Sequence, residues 1–222
     1  MSSLFSELGT IFQAVASGDW FEISDALNSD AAYLFGVILV LGGGFIFMKT
    51  LQSITILDKY FERTVLVTTY LTIAFIIFIE VIRRFVFQVQ APWSTTLPPY
   101  LFLIMAWAGC AYNTKLRTHL SFAEFRMKLP RGGQMACLTL DAVLWLAFAM
   151  IVIVTSLKQT ANSASNFQIL LGTDNIMQWW FYAVVPVSWL ILCARVMENL
   201  SEDFRNYREG KPLIKMSAIG GE

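Results

Sequence analysis

Few side chains in this sequence could do chemistry, and they lie far apart. The one histidine, His119, follows Lys115 and Arg117 in a basic stretch. Three cysteines, Cys110, Cys137 and Cys193, each sit in or beside a separate apolar run and form no CxxC pair. They read as small packing residues, not as a zinc or redox site. Asp141 lies about two turns inside an apolar run. A bundle-facing carboxylate at membrane depth is a functional candidate, and a satisfied helix–helix hydrogen bond accounts for it equally well. Glu80 precedes Arg83 and Arg84 by three and four positions, so the three share one helix face. They make either a local charge pair at a helix end or a contact with a partner subunit.

Several kinds of site are missing from the sequence. A single histidine excludes bis-histidine haem ligation and a multi-histidine metal centre. A Ser-His-Asp triad would have to use His119, which stands alone in a loop. No glycine-rich nucleotide-binding fingerprint occurs. The expectation is a non-enzyme with no cofactor of its own.

The elements that would hold these residues are apolar. Apolar residues make up 56% of the chain and charged residues 14%, against about 45–50% and ~25% in soluble domains. Mean hydropathy is +0.59. These values predict an all-α integral membrane protein. Residues 1–30 contain no Lys or Arg but carry Glu7, Asp19, Glu22, Asp25 and Asp30. Leu4, Leu8, Ile11, Phe12 and Val15 share a helical face there, which predicts one or two short amphipathic helices on a membrane surface or a partner.

Five transmembrane helices are expected: 31–48, 64–87, 97–113, 134–157 and 176–196. The first contains Gly36 and Gly42 to Gly44, which make either a close-packing face or a flexible point. Pro186 should kink or loosen the last. Residues 158–175 read as a polar loop, and residues 210–222 as a disordered tail.

Charge sets the orientation. With the loop 114–133 in the cytoplasm, thirteen of the sixteen basic residues fall on that side. Only Arg83, Arg84 and Lys158 fall on the other. The positive-inside tendency favours this arrangement: N-terminus periplasmic, C-terminus cytoplasmic. The basic loop suits anionic lipid heads better than nucleic acid. With no internal repeat and no matched interrupted helices, the chain does not read as a complete carrier. It reads as an accessory membrane subunit.

Residues 57–209 resemble the small membrane subunit of tripartite ATP-independent periplasmic (TRAP) transporters. An LDKYFER-like start precedes a crossing that ends in Ile82-Arg83-Arg84-Phe85-Val86-Phe87. Trp93-Ser94 opens the next helix, and Trp107-Ala108-Gly109-Cys110-Ala111 leads to Arg117-Thr118-His119-Leu120. The last helix opens with Gln178-Trp179-Trp180-Phe181-Tyr182-Ala183 and continues to Pro186-Val187. Thr95 and Thr96 stand where many members carry acidic residues, so no role of those carboxylates carries over.

The resemblance implies a scaffold subunit in a bacterial inner membrane. It would brace a large elevator-type subunit that carries sodium and a small organic acid, and would help dock a periplasmic substrate-binding protein. Sodium would bind the partner. Within the chain, 1–30 is then a periplasmic amphipathic segment, 31–56 an extra transmembrane helix with a cytoplasmic linker, and 57–209 a four-helix core. The interface candidates are Glu80, Arg83, Arg84, Trp93, Ser94, Tyr100 and Asp141. Lys115, Arg117, His119, Arg126 and Lys128 are candidates for phospholipid heads or for holding the cytoplasmic loop. The other readings are a self-sufficient oligomeric channel or carrier, with Asp141 and Glu80 along its path, and a membrane anchor for a redox complex.

Overall fold

The computed structural model describes residues 2–117 and 126–214, with side chains from residue 4 onward. His119 and most of the tail expected to be disordered lie outside the described residues. The described residues are mostly helical, and the only β pairing among them is one isolated bridge between Ile169 and Met177.

Helix α1 spans Ser2–Ser17 and α2 spans Trp20–Ala26. Gly18, at φ +71°, makes the turn between them. The Asp19 carboxylate caps α2 by accepting the Phe21 N–H at 2.8 Å, as N-cap acids do. The expected apolar face of α1 is divided. Ile11 is buried, while Leu4, Phe12 and Val15 are exposed.

Helix α3 (Ala31–Ile38), a π-helical turn (Leu39–Gly43) and α4 (Gly44–Ser53) form one rod. Here the close-packing reading of the glycines holds. Side chains at Gly43 and Gly44 would come within 3.1 Å of Leu190 and Cys193, and one at Gly36 would overlap Val154. Gly42 faces open space.

Helix α5 spans Thr55–Val86, so the interfacial stretch before the expected crossing is continuous with it. At 1.5 Å per residue its 32 residues reach about 48 Å, well beyond the ~30 Å hydrocarbon layer. After a 3₁₀ turn at Pro92–Ser94, α6 runs from Leu97 to Leu116, with Pro98 and Pro99 in its first turn, where a missing N–H costs nothing. Helix α7 covers Arg131–Ser165. Its last two turns correct the loop expected at 158–175. Ala161, Ser163 and Ala164 are buried there, with α2 packed against this helix, so small side chains sustain a polar stretch as helix.

A four-residue helix α8 (Trp179–Tyr182) precedes α9 (Val184–Arg208). Pro186 sits in the first turn of α9 and does not kink a long rod. Its ring and missing N–H disfavour a helical bond to the Tyr182 carbonyl, and α8 ends at that residue.

Helix α9 is central, packing on α7, α6 and α4, while α5 packs mainly on α6. Trp189, Cys193 and Ile153 are buried in the main core. A second core joins Ile11, Leu27 and Phe35 to Val154 and Ala161 of α7. Four helical stretches are long and apolar enough to cross a membrane: Ala31–Ser53, Thr55–Val86, Arg131–Ser165 and Trp179–Arg208. Helix α6 has the length, with 20 residues, but two prolines, two tyrosines, Trp107 and Asn113 make it less apolar.

Candidate functional site: the charge-paired end of the bundle

The start of α5, the end of α6, the start of α7 and the end of α9 meet at one end of the molecule. Charged residues join them. Asp58 and Glu62 are four apart on α5 and share a face. Between them lies Arg195 of α9, which is 1% exposed. Its Nε donates to Glu62 Oε1 at 2.7 Å, and its Nη1 donates to Glu198 Oε2 at 2.9 Å and to Asp58. The Lys115 ammonium of α6 reaches Asp58 Oδ1 at 3.3 Å and also meets the Asp58 carbonyl. Burying a guanidinium this deeply requires such partners.

Two further clusters continue the pattern. Arg117, in the left-handed conformation that ends α6, donates to Asp203 at 2.6 Å, to Glu202 at 3.2 Å and to the Asn199 carbonyl at 3.0 Å. Arg126 grips Asp141 with two bonds, 2.5 and 3.1 Å. Arg131 donates to the carbonyls of Asn206, Tyr207 and Lys211 around the end of α9, where a cation complements the helix dipole.

Of the two readings of Asp141, then, the described contacts include a charge pair with Arg126. Lys115, Arg117 and Arg126, candidates for lipid heads, all have carboxylate partners within the chain. Lys128 is exposed.

The other interface candidates stand at the opposite end. Glu80 accepts the Ala91 N–H at 3.2 Å. Among the described residues it forms no ion pair with Arg83 or Arg84. Ser94 is buried and donates to the Ala91 carbonyl at 2.7 Å. The Tyr100 and Tyr182 hydroxyls are 3.4 Å apart. Trp93 is partly exposed. Thr96 donates to the Leu171 carbonyl at 2.7 Å, which ties the loop before α8 to the start of α6. Gly172, at φ +81°, lies directly on the Pro92 backbone. Trp20 of α2 meets Trp179 at 5.0 Å between ring centroids, and Trp179 stacks on Trp180 at 4.3 Å.

Sequence reasoning passed over the residues that organise the charged end: Asp58, Glu62, Arg195, Glu198 and Asp203. A signal was present. Arg195 interrupts the apolar run Trp189 to Val196, and a charge there calls for a partner. Among the described residues, no group of three His, Cys, Asp or Glu side chains is placed to hold a metal ion.

The family described as tripartite ATP-independent periplasmic transporters, DctQ component, matches residues 73–206, more than half of the chain. The chain belongs to this family. No curated protein gives a significant match. Membership makes the protein a transporter component, not a member of an enzyme family, and places it in a tripartite system with two other components. In this DctQ protein, α1 to α4 and the start of α5 precede the matched residues. Two of the three carboxylates paired with Arg195 of the matched region, Asp58 and Glu62, therefore lie outside it.

Proposed function

We propose that this DctQ protein is the static brace of a sodium-coupled importer of small organic acids in a bacterial inner membrane. It would support the large elevator-type component and contribute to docking of the periplasmic substrate-binding protein. Sodium and substrate would bind the large component. The supporting observation is where the polar groups are. Charged side chains are paired within the chain at one end, while α5 and α7 present apolar side chains such as Leu71, Phe75, Phe78, Leu144 and Phe148 outward. Such a body offers lipid and a partner apolar faces to pack on.

In this proposal α6 is a fifth crossing beside α5 and α9, the charge-paired end faces the cytoplasm and the N-terminus faces the periplasm. Glu80, Arg83, Arg84, Trp93 and Tyr100 then border the periplasmic interface, and residues 1–30 cover that side next to the large component. A self-sufficient channel is less well supported. Glu80 lies about 33 Å along α5 from Asp58 at 1.5 Å per residue, at the opposite end from Asp141, and each already has a partner.

Co-expression with the large component tests the proposal. A stable complex should form through this chain, and adding a free thiol at each end for labelling should place the N-terminus outside. Failure to co-purify, or an N-terminus labelled only from the cytoplasm, contradicts it.

A further inference from the structure

A cavity of about 150 Å³ opens at the charge-paired end, between α6, α7 and α9. Arg117, Arg126, Asp141 and Asp203 border it, and their formal charges cancel. Trp145 and Val196 are part of its apolar wall. The site is not closed. The Asp141 side chain is 41% exposed and that of Arg126 19%, so the carboxylate stands toward the opening.

Helix ends set its depth. Arg117 closes α6, Asp203 lies in the last two turns of α9, and Arg126 precedes the start of α7. Basic residues at the cytoplasmic ends of crossing helices sit at headgroup level, and the cavity lies with them. This placement rests on the proposal above that the helices cross the bilayer with this end in the cytoplasmic leaflet.

We propose that the cavity seats the headgroup of a phospholipid bearing a primary ammonium, with phosphate on Arg117 and Arg126 and ammonium on Asp141. Arginine offers five N–H donors in a fork, enough to hold a carboxylate and a phosphate together. An ammonium offers three N–H donors to a carboxylate at the opening. A headgroup with phosphate but no cation would bring its charge against Asp141 and Asp203. A quaternary amine carries the charge but has no N–H to donate.

The test uses the full chain in nanodiscs containing equal parts phosphatidylethanolamine, phosphatidylcholine and phosphatidylglycerol, with retained lipid counted by native mass spectrometry. Phosphatidylethanolamine should be retained at least about fivefold over each of the others, roughly a 1 kcal/mol preference. Asp141→Asn should level phosphatidylethanolamine with phosphatidylcholine, and Arg126→Gln should reduce retention of all three. Equal retention by the unaltered chain overturns the proposal. Displacement of the bound lipid by soluble phosphoethanolamine at equal concentration also overturns it, in favour of a soluble ligand. The comparison within the unaltered chain stands even if a variant fails to fold. Assembly with the large component, measured separately, shows whether a negative result touches the lipid site alone or the subunit role as well.

Discussion

The two ends of this bundle are held together by different means. At one end, helices that are distant in sequence are joined by charges: Arg195 to Asp58 and Glu62, Arg117 to Asp203, Arg126 to Asp141. At the other, the links are aromatic contacts and hydrogen bonds between side chain and backbone: Trp20 against Trp179, the Thr96 hydroxyl to the Leu171 carbonyl, and the Ala91 N–H to Glu80. Charge pairs impose strict partner requirements, because losing one member leaves the other buried and uncompensated. Rings and single hydrogen bonds fail more gradually. The charged end should therefore respond steeply to mutation, and the aromatic end weakly.

The largest effect is expected at the core of the charged end. Arg195→Met leaves Glu62, itself 2% exposed, without its cation and should cost about 3–5 kcal/mol, read as a lower unfolding temperature in detergent. Adding Glu62→Met to that variant should recover part of the loss. If the double variant is no better than the single one, pairing is not what holds this end. Next is the contact between the N-terminal helices and the rest of the bundle. Gly36→Val should destabilise by about 1–3 kcal/mol through overpacking against Val154, and limited proteolysis should then release α1 to α3 first.

Gly172→Ala tests the aromatic end. A methyl there meets the Pro92 backbone at 2.5 Å, at a φ of +81°. The left-handed conformation alone should cost about 1–2 kcal/mol, and the substitution should raise hydrogen exchange over 166–178, leaving 195–208 unchanged. Exchange rising at both ends would mean that the two are not independent. The smallest effect belongs to Glu80→Gln, which keeps an acceptor for the Ala91 N–H and should cost under about 1.5 kcal/mol.

Much of this was legible in the sequence because membrane helices announce themselves by length and apolarity. The rods at 31–53, 55–86 and 179–208 overlap the expected crossings. Helix ends were harder. The stretch Lys158 to Ser165 is polar, and only burial of small side chains against α2 keeps it helical. The glycine run admits two readings in the sequence, and only the tertiary neighbours Leu190 and Cys193 decide between them. Asp141 stands out in the sequence because a carboxylate in an apolar run is rare. Its partner Arg126 falls in a loop, and nothing in the spacing joins the two. Arg195 reads in the sequence as one more positive charge at a helix end, since Asp58 and Glu62 lie more than a hundred residues earlier.

Sodium-driven uptake in sealed vesicles tests the bracing role most directly, comparing this chain alone, the large component alone and both together with the periplasmic component. The account predicts no gradient-dependent uptake by this chain alone and uptake only when it joins the others. Uptake by this chain alone, abolished by Asp141→Asn, would contradict it.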